Sequence, residues 1–357
     1  MIEDWLAHLA HDHPYQGGTL DGAALAGARL TDGTVLTTSL RGADFTNAHL
    51  TRMTFCDCDL TGCRFDGASM GNTTFVRCTM PDSTWREAHL HGATFTSCTL
   101  TGSSFAAAAL TRASLLRCDL AAAALARCRS EESVFLDCML QGIDLSGATL
   151  VNVAFTKADL RQAVLTDLRC DLVLLAECDL TDRDLRGLTL TRMNLLRAKL
   201  DRANLSGVDL TGSGFMDASL MGATLRRAKA SSTIFAGANL SGADFTGAHL
   251  DNAVFQDARA AGACFDAAQL PCTVFHRAEA EAATFRGARL DDAQFHHADL
   301  ARADFSNAHF LRTNFHCART DGAIFHGHRG TRLDTVSARA VGELYDPSVV
   351  RALAAKV

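Results

Sequence analysis

From Leu20 to Phe325 the chain returns to an apolar residue at each fifth position, Ser130 and Thr320 excepted, without a slip of phase. Of the sixty-two positions on this beat, fifty-two are Leu or Phe, and all twenty Phe of the chain lie on it. Two residues before each beat the side chain is small, Ala at thirty-four places and Cys at eight. The positions between are mostly polar. A period of five smears side chains around an α-helix of ~3.6 residues per turn. It also sends successive beats to opposite faces of a continuous strand, because five is odd. The pattern therefore predicts a backbone that bends once per repeat, with positions −2 and 0 inward and positions −1, +1 and +2 outward or at the corner. Four such sides close a coil of about twenty residues.

Nineteen Phe sit at numbers ending in 5 and one, Phe310, at a number ending in 0, where Leu dominates, so opposite sides of the square carry like residues. Cys58, Cys78, Cys98, Cys118, Cys138 and Cys178 share one column spaced by twenty. These cysteines are expected to be reduced core filler, interchangeable with Ala. With them, Phe55, Phe75, Phe255 and Phe275 represent the expected core. Between residues 143 and 193 the small position is filled by Ile143, Val153, Leu168, Val173, Leu188 and Met193 while Phe gives way to Leu on the beat, conserving core volume. Arg183 breaks the inward pattern and predicts local distortion.

The repeated unit, as in Gly42-Ala43-Asp44-Phe45-Thr46 and Ala301-Arg302-Ala303-Asp304-Phe305, resembles that of the pentapeptide-repeat proteins. The resemblance implies an all-β, right-handed quadrilateral β-helix, a solenoid of about 15 coils, each rising ~4.8 Å, ~75 Å in all. The expected organisation is a helical cap over residues 1–14, with Ile2, Trp5, Leu6 and Leu9 on one stripe, the β-helix over 15–329, and a helical tail or cap over 330–357. Asp346-Pro347 would open the last helix, and family resemblance makes a homodimer contact the alternative role for that tail.

No nucleotide loop, nucleophile elbow, metalloprotease helix or paired-cysteine zinc spacing occurs, so the sequence gives no catalytic or cofactor-binding residues and no enzyme is expected. His276, His296 and His316 form an outward column beside His297 and Cys317; a flat ladder is expected to be solvated, with no metal assigned. The net charge of −6 argues against nucleic-acid binding, although Arg29, His49, His89, Arg129, Arg169, Lys229, His249 and Arg289 bias one column to the basic side. No apolar run is long enough to cross a membrane and no basic, apolar leader opens the chain, so a cytoplasmic bacterial protein is expected. Arg117, Asp137, Lys157, Glu177, Arg197 and Asp217 alternate in sign down one column, which favours register. Beside that column an outward apolar stripe contains Leu116, Leu136, Leu196 and Met216, joined two places earlier by Leu174, Ile234, Val254 and Val274. A contiguous apolar stripe marks an interaction surface. The expected function is a non-catalytic scaffold that docks one or more protein partners along this side. Family resemblance suggests an accessory or adaptor of type VI secretion; its alternative is a DNA-mimicking modulator or protector of DNA gyrase or topoisomerase.

Overall fold

The computed structural model describes residues 14–333. The helices expected at residues 2–10 and after Asp346, and the dimer contact assigned to the tail, lie outside the described residues. Within them the chain is a parallel β-solenoid of about 16 turns with no helix, one turn more than the period had suggested. It divides into two compact units, residues 14–181 with Gly187–Lys199, and Asp182–Arg186 with residues 200–333.

In the first unit a nine-stranded parallel sheet is built from Tyr15–Gln16, Thr34–Leu36, Thr54–Cys56, Thr74–Val76, Thr94–Thr96, Ser114–Leu116, Val134–Leu136, Ala154–Thr156 and Leu174–Ala176, in that order. The partners lie twenty residues apart, as in Thr54↔Thr74, Phe55↔Phe75 and Cys56↔Val76. A second side carries a four-stranded sheet of Ala109–Thr111, Arg129–Glu131, Thr149–Val151 and Arg169–Asp171. Elsewhere single bridges keep the same offset, for example Asp44↔Arg64 and Asp59↔Thr79. The second unit repeats the arrangement, with Ile234↔Val254 and Val254↔Val274 in register.

Every non-glycine residue with positive φ stands two places after a beat, from Asp32 (φ 62) to Cys317 (φ 53). This is the corner. Gly, Asn and Asp tolerate the left-handed region best, and the outward corner position is rich in them. The preceding turn is braced by Asp or Asn at position −1, whose side-chain oxygen accepts from the backbone N–H two residues on, as in Asp44 with Thr46 (3.0 Å) and Asn239 with Ser241 (3.2 Å).

Inside, rings stack along columns and meet edge to face across the lumen. Phe55, Phe75 and Phe95 stack with centroids 5.1 and 4.9 Å apart, and Phe75 meets Phe65 edge-on at 6.3 Å. In the second unit Phe255 and Phe275 stack at 4.6 Å and Phe275 and Phe295 at 4.8 Å. The inward small position does more than make room. Cys58 donates to the carbonyl of Val35 at 3.4 Å, Ser133 to that of Leu110 at 2.7 Å and Thr313 to that of Leu290 at 2.7 Å, each a beat residue on the preceding coil. Cys58, Cys78, Cys98, Cys118 and Cys138 are buried and unbonded to one another. Burial pushes the Cys63 and Cys128 thiols up to about 12.

Two stretches depart from the regular coil. Around the division between units, the beat residues Cys170 and Leu175 and the small-position residues Arg183 and Leu188 are only half-buried although their positions are inward; for Arg183 and Leu188 this is in keeping with a long cation and a bulky side chain at a site made for Ala. Near the other end, His309–Asn314 pairs with Arg329–Leu333 and the offset falls from twenty to nineteen at Arg312, which bulges out of the pairing. The fifth-residue beat ends there, but the strand pairing continues to Leu333. Gly330, at φ 86, lies so close to the Phe310 carbonyl that a Cβ would collide with it.

Candidate interaction surface

Strand alternation sends the middle residue of each three-residue strand inward and the outer two outward. On the nine-stranded sheet those outward residues are Thr34 and Leu36, Thr54 and Cys56, Thr74 and Val76, Thr94 and Thr96, Ser114 and Leu116, Val134 and Leu136, Ala154 and Thr156, and Leu174 and Ala176. None is charged. Nine strands at ~4.8 Å spacing make this face about 38 Å long. The other three sides of the same unit carry charges on several coils, among them Asp44 and Arg64, Asp59 and Asp119, and Arg129 and Glu131. Leu136 is the most exposed of the apolar members at 39%, while Leu116 and Leu174 are half-buried against their neighbours.

The border of this face is ionic. At its corner Arg77 makes two hydrogen bonds of 2.7 Å with Asp57, Lys157 lies 3.7 Å from Asp137, and Arg197 lies 2.9 Å from Glu177. The Arg77 guanidinium holds the Asp57 carboxyl down at about 2. These pairs are solvated and contribute little stability each. Their effect is to turn charge along the corner and away from the sheet.

The sequence-predicted stripe is thus partitioned. Leu116, Leu136 and Leu174 lie on the nine-stranded face, and Leu196 follows in the same unit, where its carbonyl accepts from the Glu177 N–H at 2.9 Å. Met216, Ile234, Val254 and Val274 belong to the second unit. There Ile234, Val254 and Val274 form a β-branched column, with Ile234 40% exposed, and Met216 is 47% exposed. Periodicity alone reads the stripe as a set of large apolar residues. What it missed is the row of Thr and Ser between them, visible once the outward positions are compared every twenty residues.

Two members of the basic column, Arg129 and Arg289, are paired with carboxylates. Arg129 pairs with Glu131 at 2.6 Å, and Arg289 and His309 both contact the buried Asp291, at 2.5 and 2.9 Å. Among the described residues no helix is long and apolar enough to cross a membrane.

Two family profiles match the chain. One, a pentapeptide repeat region, matches residues 48–121 and 108–185; the other, pentapeptide repeats in eight copies, matches 175–213, 218–257, 233–270 and 288–327. The chain belongs to the pentapeptide-repeat family. Solved structures to which the chain is similar include a trypsin-treated variant of QnrB1, a plasmid-mediated fluoroquinolone resistance protein, 21% identical over 53% of this chain and 91% of that one, with a TM-score of 0.35. HetL, a pentapeptide-repeat protein involved in heterocyst differentiation regulation from the cyanobacterium Nostoc sp. strain PCC 7120, is 26% identical over 63% of this chain and 86% of its own, with a TM-score of 0.19. A pentapeptide-repeat protein from the Arabidopsis thaliana thylakoid lumen is 28% identical over 32% of this chain and 66% of its own, with a TM-score of 0.22. No curated protein matches the chain. The family accounts for the four-sided coil and the ladders, while the uncharged face is a property of this chain's own outward residues.

Proposed function

We propose that this pentapeptide-repeat protein is a non-catalytic scaffold that binds a protein partner through the uncharged face of its first unit. The observation that carries the reading is the contrast between sides. One face of eight full strands, Thr34–Leu36 to Leu174–Ala176, has no charged outward residue, and the corner beside it has paired charges. Apolar surface collected on one side and rimmed by polar groups is the usual composition of a protein interface, where charge is depleted from the centre. A sheet side held at fixed register is also pre-organised, so little ordering entropy is lost on docking. The partner that fits is a protein with a flat apolar patch and few charges at its centre. The fold and the family matches do not favour an accessory role in type VI secretion, and the reading stops at the scaffold.

The test is comparative capture. Purified wild type and the variant Leu116→Asp with Leu136→Asp are presented to extract from the source cells, and bound proteins are quantified by mass spectrometry. A partner kept by wild type and lost by the variant is expected, with the two circular dichroism spectra superimposing. Equal retention by two folded proteins would remove this face from consideration.

A further inference from the structure

The column of His276, His296 and His316 is not uniform. His276 and His296 stack flat, centroids 4.6 Å apart and 9° between planes, as a ladder at sheet spacing should. At the next coil the pattern changes, because the neighbouring corner position holds His297 and Cys317 in place of the Asp257 and Arg277 of earlier coils. Both corner residues are left-handed, with φ 57 and 53. The His297 N–H donates to the His316 carbonyl at 3.0 Å, which ties the corner of one coil to the side of the next. The two rings meet edge-on, 5.9 Å between centroids at 87°. In this arrangement one ligand atom each from His297, His316 and Cys317 lies within 4.8 Å of the others, and all three residues are half-buried.

We propose that His297, His316 and Cys317 form a zinc site that clips two adjacent coils of the second unit. Two imidazoles and a thiolate are a borderline-soft donor set suited to a late first-row divalent cation. On a tetrahedral zinc, with bonds of about 2.0 to 2.3 Å, ligand atoms stand about 3.3 to 3.8 Å apart. Closing from the observed separation takes side-chain rotation of three half-buried residues, without moving the ladder. The fourth position is left for water. The nearest cation of the same column points elsewhere, because Arg277 is held by two hydrogen bonds, 2.6 and 2.8 Å, to Asp257 on the preceding coil. Binding converts the Cys317 thiol to thiolate, so it releases a proton and strengthens as pH rises.

The full-length chain, freed of metal by chelator, is titrated with Zn(II) by calorimetry and with Co(II) as an optical substitute. One equivalent is expected to bind, and the cobalt form should show a thiolate-to-cobalt charge-transfer band with the strong visible absorption of tetrahedral coordination. Cys317→Ser should abolish that band, and Cys317→Ser and His297→Gln should each weaken zinc binding by about tenfold or more. Cys272→Ser, which removes an exposed thiol elsewhere, should change neither. All variants change outward or corner residues and leave the inward ladders intact, and circular dichroism checks that they fold. Absence of saturable binding at one equivalent, a charge-transfer band that survives Cys317→Ser, or unchanged zinc affinity in His297→Gln would overturn the site.

Discussion

At the scale of single residues, each of the five places in the repeat answers a different physical demand. The beat residue fills the lumen and stacks on its counterpart one coil away. The small residue two places earlier leaves room for it and, at many of the places where it is Cys, Ser or Thr, donates to a beat carbonyl of the preceding coil. That second role explains why hydroxyls and thiols alternate with Ala there, and it was not legible in the sequence, where Cys and Ser read only as small. Ser83 extends it, accepting from the Trp85 indole N–H at 2.7 Å so that a buried Trp is satisfied inside an apolar column. The inward and outward assignments themselves were legible, since they follow from size and period. The pairing of Asp at −1 with the turn N–H was not, because an outward Asp looks like ordinary surface. Phe275 shows what the beat is worth. Its ring is fully buried and stacked on both sides. Replacing it by Ala is expected to cost about 3 to 5 kcal/mol, because packed neighbours on four sides collapse poorly into the space. Denaturant unfolding followed by hydrogen exchange at coils 255–295 would register that loss, and an unchanged midpoint would mean the ladder does not hold this part together.

At the scale of the coil, stability depends on which columns face each other as well as on the beat. Phe columns lie on opposite sides and Leu or Ala columns on the others, so a shift by one pentad keeps every beat residue inward but sets Phe against Ala or Leu. Deleting the twenty residues 262–281 preserves the columns: Phe285 would stack on Phe245, Phe295 on Phe255 and Leu290 on Leu250. Deleting only residues 262–266 would instead place Phe275 over Leu250 and Phe285 over Ala260. The shorter deletion is expected to lower Tm by several degrees more than the longer one, since stacked aromatic pairs contribute ~0.5 to 1.5 kcal/mol each beyond their burial. Equal Tm values would show that pentads are interchangeable and the columns irrelevant. The same reasoning covers the irregular stretch. Bulky residues at the small position and Leu on the beat were readable as exchanged volume, and Arg183 as a misfit. The division of the chain into two units at that place was not readable, because it depends on contacts summed over many neighbours.

For the molecule as a whole, a repeat that constrains inward positions leaves the outward ones free to differ from side to side. In the first unit that freedom produces one long uncharged face and three charged ones. The apolar members of the face could be found from the sequence, but the extent of the face could not, because Thr and Ser look like solvent-facing filler until their absence of charge is seen across eight strands. The claim that this face recognises a protein is tested most directly by position-specific photo-crosslinking in source cells. A photoreactive amino acid is placed at Leu136 on the uncharged face or at Ala126 on the opposite side of the same unit. A discrete adduct from position 136 and none from position 126 is the result expected of a docking face; the same adducts from both positions, or one from 126 alone, would contradict it.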